Sequence, residues 1–85
     1  MWYLYILRSD TKDKIYIGST NDLERRLEQH NRGHTKSTKR FVPWSFVYVE
    51  KFLEKKDARD RERQLKNWKN RKRIESLIEK NPYCA

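Results

Sequence analysis

The stretch Ile15-Tyr16-Ile17-Gly18 decides the fold, because it predicts a short strand that ends at a glycine just before a helix. Apolar and non-apolar residues alternate from Lys14 to Gly18, which is typical of a strand. A residue within Ser19–Asn21 is expected to cap the helix, since Glu24 follows Asn21 by three positions as in a capping box. The chain is therefore predicted to change direction at Gly18.

The helix after this turn carries Arg26 and His30, which are four positions apart and so share one face. With Tyr16 on the preceding strand, a phenol, a guanidinium and an imidazole can converge at one corner. All three groups bind phosphate or move protons, which makes the corner the first candidate site. The structural alternatives are a hydrogen-bonded core histidine at His30 and an exposed Arg26 beside Arg25.

A second tyrosine is predicted to join this corner from the first strand, Trp2–Leu7, whose two faces are both apolar and both expected to be covered. A hairpin loop centred near Asp10 and Thr11 would place Tyr5 directly opposite Tyr16 on the next strand. The alternative reading is an aromatic pair that only stabilises the hairpin.

Two further elements follow from the patterns before residue 53. The first helix is predicted over Asn21 to about Asn31, with Gly33 placed to end it. Alternating apolar residues predict a third strand over Trp44–Phe52, with Phe46 and Tyr48 on the same face.

Helical periodicity runs from Glu54 onward, with an apolar stripe at Ala58, Leu65 and Trp68. Glu62 lies at the edge of this stripe and is predicted to face the sheet. A salt bridge to a neighbouring cation is the plain explanation of this carboxylate, and a metal site is the functional one.

The resulting fold class is α+β, with a small three-stranded antiparallel sheet flanked by about three helices. Residues 1–80 are predicted to form a single domain and residues 81–85 a C-terminal tail, with Pro82 ending the last helix.

Charge indicates the partner. The net charge of +9 favours a polyanion, and nucleic acid is the commonest polyanion that small basic domains bind. The alternatives are solvated basic surfaces and a protein-interaction module that docks on an acidic partner through the last helices. The residues predicted to contact nucleic acid are Arg25, Arg32, Lys36, Lys39, Arg40, Arg59, Arg63 and Lys66.

Several classes of protein are disfavoured. Cys84 is the only cysteine, so a disulfide framework and a zinc site are not expected. The sequence contains no apolar run of membrane-spanning length and no secretory signal pattern, which favours a cytoplasmic protein without membrane contact. No organic cofactor is expected, since the two glycines lie far apart and form no phosphate-binding loop.

The candidate residues fit phosphodiester hydrolysis with one metal ion. Glu62, substrate phosphate and waters suit Mg²⁺, which would polarise the phosphate. A tyrosine with a lowered pKa could activate the attacking water, and Arg26 would neutralise charge on the reacting phosphate.

These residues resemble the GIY-YIG nucleases, in particular the small single-domain UPF0213-type members related to the N-terminal module of the UvrC repair nuclease. The resemblance covers nearly the whole chain. Tyr5 stands in the first motif, Tyr16-Ile17-Gly18 is the second motif unaltered, and Arg26 follows ten residues after its tyrosine. His30 occupies the position of histidine-bearing members, and Glu62 resembles the metal-binding glutamate.

The resemblance implies roles for these residues in a DNA endonuclease of repair or recombination. Tyr16, with Tyr5, would orient or activate water, and His30 would take the proton from a tyrosine. Arg26 would bind the scissile phosphate, while Glu62 would hold one Mg²⁺ or Mn²⁺.

Three positions depart from the family pattern. Tyr3 replaces a glycine of the first motif, Ser19 replaces a lysine, and Ile74 stands where an asparagine is expected. Asn67 or Asn70 could substitute for that asparagine. The departures support an alternative function, a non-catalytic nucleic-acid-binding module that keeps the fold.

Overall fold

Three strands form the centre of the fold: β1 (Trp2–Ser9), β2 (Ile15–Thr20) and β3 (Trp44–Phe52). They make one antiparallel sheet in the order β2-β1-β3 in this computed structural model, which describes residues 1–36 and 38–81. Three α-helices, α1 (Leu23–Asn31), α2 (Lys55–Trp68) and α3 (Arg71–Lys80), flank the sheet, and a 3₁₀ turn spans Lys39–Phe41. The predicted α+β class is confirmed.

Strand β1 is covered on both faces, as its two apolar faces predicted. Leu4 and Ile6 pack in a cluster with Leu65 of α2 and with residues of α3. Tyr5 and Leu7 pack on the opposite face with residues of α1 and with the start of β3. The site residues of β1 therefore lie under α1, on the other side of the sheet from α2.

The predicted register of the first hairpin is wrong by two residues. Tyr5 lies opposite Gly18, and Tyr16 lies opposite Leu7. The cause is the turn: the Ser9 hydroxyl oxygen accepts hydrogen bonds from the backbone N–H groups of Thr11 (3.2 Å) and Lys12 (3.1 Å), which moves the turn centre later. Because the shift is even, Tyr5 and Tyr16 still project from the same face.

A β-bulge separates two aromatic residues of β3. Ile6 pairs with Tyr48 but Leu7 pairs with Phe46, so Val47 is an extra residue without its own partner on β1. Phe46 consequently packs on the α1 side and Tyr48 on the α2 side. The prediction that they share a face is wrong, since strict alternation does not account for a bulge.

The start of α1 also differs from the sequence prediction. Strand β2 continues past Gly18 to Thr20, so the helix begins later, at Leu23. The cap is Asp22, whose carboxylate accepts from the backbone N–H of Arg25 at 3.1 Å, and not a residue of Ser19–Asn21. Gly33 ends the helix as predicted, with a φ of 77° and its N–H bonded to the His30 carbonyl.

The C-terminal helices agree with the periodicity. Ala58 and Leu65 are buried and Trp68 is half-buried, and the backbone of Lys69 turns the chain with a φ of 49° before α3. Helix α3 ends at Lys80, and the predicted stop at Pro82 lies outside the described residues. Within residues 1–36 and 38–81, no helix combines the length and the apolar character needed to cross a membrane.

Candidate active site

A cleft of about 300 Å³ opens beside β2, at the edge of the sheet. Because β2 is an edge strand, the cleft reaches side chains from both faces of the sheet. Its lining comprises Trp2, Tyr5, Tyr16, Gly18, Ser19, Arg26, Lys55, Arg59 and Glu62.

Tyr5 is the centre of the α1 side of this cleft. Its ring is fully buried, and its hydroxyl lies 3.1 Å from His30 Nε2 and accepts a hydrogen bond from Arg26 Nε at 3.2 Å. Burial raises the pKa of Tyr5 to about 12, although the neighbouring Arg26 opposes the shift. The prediction of a tyrosine with a lowered pKa is therefore wrong for Tyr5, which keeps its proton at neutral pH.

His30 lies at the buried end of α1 with no exposed surface. Its Nδ1 lies 2.9 Å from the hydroxyl of Thr38, so both ring nitrogens have partners. Burial, followed by the charge of Arg26, lowers the pKa of His30 to about 4, and the ring is neutral at pH 7. The core-histidine reading describes the packing correctly, and the bond to Tyr5 places the same ring in the site.

Gly18 is required by the close approach of Tyr5. A Cβ atom at Gly18 would lie 2.5 Å from the Tyr5 hydroxyl oxygen and 3.1 Å from Cε1 of Tyr16. The glycine of the Tyr-Ile-Gly triplet thus makes room for a phenol, rather than ending the strand.

Tyr16 and Arg26 complete this side. The Tyr16 ring centroid lies 4.8 Å from the His30 ring and 6.3 Å from the Tyr5 ring. The hydrogen bond to Tyr5 raises the pKa of Arg26, which also donates from Nη1 to the Gln29 side chain at 3.2 Å. The structure thus brings together Tyr5, Tyr16, Arg26 and His30.

Glu62 faces the cleft from α2. Ser19 donates to its Oε1 at 2.6 Å, and Lys66 donates to its Oε2 at 2.7 Å. Partial burial raises the pKa of Glu62, but the bonds from Lys66 and Ser19 outweigh it and hold the pKa below its usual value. The carboxylate is therefore charged, and the salt bridge anticipated from the sequence is present.

Glu62 fits a magnesium or manganese ion as a single carboxylate ligand. No group of three or more His, Cys, Asp or Glu residues that could enclose an ion occurs in the described ranges 1–36 and 38–81. Mg²⁺ retains several waters and commonly binds through one or two carboxylates plus substrate phosphate. Within the described residues, a single carboxylate suits an ion completed by water and phosphate better than an all-protein cage.

The predicted nucleic-acid contacts divide into two groups. A groove of about 870 Å³ runs along α2 and shares Lys55, Arg59 and Glu62 with the cleft. Its lining includes the predicted contacts Arg59, Arg63 and Lys66. It also includes Asp60, Asn67 and two cations that the sequence analysis did not select, Lys55 and Lys56.

The other predicted contacts lie near α1 and after it. Arg25 lines a small pocket of about 210 Å³ that also includes Arg26. Arg32 pairs with Glu28 at 2.5 Å. Lys36, Lys39 and Arg40 are exposed in the segment between α1 and β3, so the structure does not bring them to the cleft lining.

The departures from the family pattern have distinct structural consequences. Ser19 binds Glu62 directly, a contact that its residue type alone did not indicate. Ile74 is only 4% exposed and belongs to the apolar core. This position therefore offers no polar side chain to the site. Asn70 caps α3 by accepting from the N–H of Arg73, whereas Asn67 lines the groove.

Comparisons with known proteins point to one family. The family model described as GIY-YIG catalytic domain matches residues 1–75. The chain is 40% identical over 65 residues to a UPF0213 protein of Oceanobacillus iheyensis, covering 75% of this chain and 74% of the relative. It is 34% identical over 82 residues to a UPF0213 protein of Clostridium perfringens, covering 95% and 87%.

A solved structure is also similar. The solution NMR structure of a UPF0213 protein from Bacillus halodurans matches with a TM-score of 0.59 at 30% identity. The match covers 95% of this chain and 86% of that protein.

Proposed function

The chain belongs to the GIY-YIG catalytic-domain family, and on this premise we propose that it is a metal-dependent endonuclease that hydrolyses phosphodiester bonds in DNA. The observation that carries the proposal is the convergence of two phenols, one guanidinium and one carboxylate on a single cleft of about 300 Å³. A role in repair or recombination, and a cytoplasmic location, are further parts of the proposal that rest on the sequence alone.

The two sides of the cleft would have different roles in hydrolysis. Glu62 would hold one Mg²⁺ or Mn²⁺, which when bound supplies a positive charge that polarises the phosphate and stabilises the leaving oxygen. Arg26 binds the scissile phosphate through the guanidinium N–H groups that Tyr5 and Gln29 do not occupy. Tyr16 and Tyr5 orient the attacking water.

The proton path follows from the hydrogen bonds of Tyr5. Because burial raises the pKa of Tyr5 to about 12, a free phenolate is disfavoured. The proton of the attacking water is therefore taken up by the Tyr5 oxygen as the phenol gives its own proton to Nε2 of His30, 3.1 Å away. The neutral His30 ring offers Nε2 as the acceptor within hydrogen-bond distance of the Tyr5 oxygen.

The groove along α2 supports a nucleic-acid substrate. It is continuous with the cleft and carries Lys55, Lys56, Arg59, Arg63 and Lys66. For binding through such a surface, the logarithm of the association constant should fall linearly with the logarithm of the salt concentration. The slope should be about −0.9 for each phosphate neutralised on duplex DNA.

The decisive experiment is a cleavage panel of supercoiled plasmid, flap, branched and single-stranded DNA, and RNA, with Mg²⁺, Mn²⁺ or EDTA. Wild type is compared with Glu62→Ala and with Glu79→Ala, an exposed glutamate of α3 that serves as a matched control. We expect cutting by wild type and Glu79→Ala only, and only with a metal ion. Cutting by Glu62→Ala at the wild-type rate would remove Glu62 from its proposed role.

A second candidate function is a nucleic-acid-binding module without turnover. The buried Ile74 favours it, because the polar side chain expected at this position is absent and the site is enclosed by the core. This candidate predicts salt-dependent gel shifts with no cleavage of any substrate in either metal. It also predicts that Glu62→Ala binds DNA at least as tightly as wild type, since a negative charge is removed from the groove.

A further inference from the structure

Thr38 is buried although the segment around it is mostly exposed. Its exposed fraction is 1%, and its hydroxyl has two partners: His30 Nδ1 at 2.9 Å and the carbonyl oxygen of Thr35 at 3.2 Å. The carbonyl of Thr38 accepts from the indole N–H of Trp44 at 2.9 Å. The backbone is thus anchored independently of the hydroxyl that contacts the histidine.

The hydroxyl of Thr38 has a single proton, and its partners decide where that proton goes. The carbonyl oxygen of Thr35 can only accept, and it accepts from the backbone N–H groups of Thr38 and Lys39 as well as lying within donating distance of the Thr38 hydroxyl. We assign the hydroxyl proton to this carbonyl. The threonine oxygen can then only accept from His30, which places a proton on Nδ1. A neutral imidazole with its proton on Nδ1 has a lone pair on Nε2, and that lone pair must accept from the Tyr5 hydroxyl.

The bond from Arg26 agrees with this assignment. The Arg26 Nε–H is a donor only, and it points to the Tyr5 oxygen at 3.2 Å. Tyr5 therefore accepts from Arg26 and donates to His30. Each hydrogen bond in this network then has one donor and one acceptor: Arg26 donates to Tyr5, Tyr5 to His30, and His30 to Thr38. An imidazole with its proton on Nε2 would direct a second donor at the Tyr5 oxygen and leave Tyr5 without this acceptor.

We propose that Thr38 is a positioning residue that holds His30 in the Nδ1–H tautomer, so that Nε2 is available to accept the Tyr5 proton. The tautomer is a property of the free protein, whereas its effect on cleavage rests on the proposed function. Thr38 was not selected from the sequence, because a threonine in a polar basic segment carries no signal of burial.

The first test measures the tautomer by ¹⁵N–¹H NMR of the imidazole nitrogens in the full chain at pH 7. Wild type is expected to show a protonated Nδ1 and an unprotonated Nε2 at His30, with the exposed His34 as an internal reference. Thr38→Val, nearly the same size but without the hydroxyl, should move the proton to Nε2, and Thr38→Ser should keep it on Nδ1. An Nε2–H tautomer in wild type, or an unchanged Nδ1–H tautomer in Thr38→Val, would overturn the proposal.

The second test measures cleavage. Thr38→Val should cut about 10²-fold more slowly, at the lower end of what a positioned acid–base group contributes, with unchanged DNA affinity. Thr38→Ser should restore the rate to within about threefold of wild type. The Trp44 indole N–H signal reports whether each variant is folded, and if Thr38→Val is unfolded the wild-type tautomer alone decides the assignment.

The two measurements separate the two proposals. A wild type with Nδ1–H that cuts no substrate would contradict the nuclease and confirm the tautomer assignment. A wild type that cuts and shows Nε2–H would leave the nuclease standing and overturn the role of Thr38. Equal rates for Thr38→Val and Thr38→Ser, with different tautomers, would overturn the catalytic consequence.

Discussion

The two sides of the cleft are built differently. The buried cluster, Tyr5, His30 and Thr38, is at most 1% exposed, is uncharged at neutral pH and is hydrogen-bonded throughout. The ion pair of Glu62 and Lys66 is charged, and the two side chains are 22% and 49% exposed. A buried network has one arrangement and is coupled to folding, whereas an exposed ion pair can exchange partners at small cost. The cluster thus fixes geometry, and the pair can accept an ion or a phosphate.

The largest effect is expected from Gly18→Ala, which forces a methyl group into the buried cluster. Its Cβ would lie 2.5 Å from the Tyr5 oxygen, so the phenol must move and lose its bonds to His30 and Arg26. Overpacking and the lost hydrogen bonds together should reduce the free energy of unfolding by more than about 3 kcal/mol. Urea unfolding measures this, with Gly33→Asn as a control at a left-handed position that tolerates asparagine. A stability within 1 kcal/mol or so of wild type would show that the cluster adapts.

Acid should destabilise the buried cluster through His30. The pKa of His30 is about 4 in the folded chain against an ordinary value of 6.5, so the unfolded state binds more protons between these values. Stability is therefore complete above pH of about 6.5 and falls as the pH decreases towards about 4, by up to about 3 kcal/mol. Urea unfolding across this range should show the slope in wild type and in the exposed control His34→Gln, and a much flatter profile in His30→Gln. An equal slope in all three would contradict the prediction.

The sequence predicted which residues meet better than it predicted how they meet. Period and spacing place Tyr5, Tyr16, Arg26 and His30 on facing sides of neighbouring elements, and an even error in hairpin register left that result intact. Turn and bulge geometry were missed, because the Ser9 side chain and the extra residue Val47 act on the backbone in ways that apolar alternation does not encode.

The polar partners of the site were the least predictable part. Thr38 reaches His30 from the segment between α1 and β3, and Ser19 reaches Glu62 across the sheet edge. Both contacts are tertiary and involve small polar residues that are common in loops and strand ends. The lowered pKa predicted for a tyrosine of the site does not occur at Tyr5, since burial of the ring outweighs its arginine neighbour.

A matched pair of substitutions separates the two tyrosines. Tyr5→Phe removes the hydroxyl that bonds to His30 Nε2 in the described structure and should cost about 1–3 kcal/mol of unfolding free energy. Tyr16→Phe removes a hydroxyl from a half-buried ring and should cost less than about 0.5 kcal/mol. Both variants should cut DNA more slowly, so unfolding in urea is the measurement that distinguishes them. A larger loss of stability in Tyr16→Phe than in Tyr5→Phe would place the structural phenol on β2 instead.

The smallest effect on stability, and the most specific one on metal binding, is expected from Lys66→Met. An exposed pair four residues apart on a helix contributes about 0.3–0.5 kcal/mol, so the variant should unfold almost as wild type does. The Lys66 ammonium donates to Oε2 of Glu62, and its removal would leave that oxygen available to an ion. Competition worth up to about 1 kcal/mol corresponds to up to about fivefold tighter Mn²⁺ binding, measurable by electron paramagnetic resonance titration without DNA. The control is Lys72→Met, an exposed lysine of α3 that should leave Mn²⁺ affinity unchanged. If Lys66→Met binds Mn²⁺ no more tightly than Lys72→Met, the ammonium and the ion do not compete. The ion pair of Glu62 and Lys66 would then not exchange its partner for a metal ion.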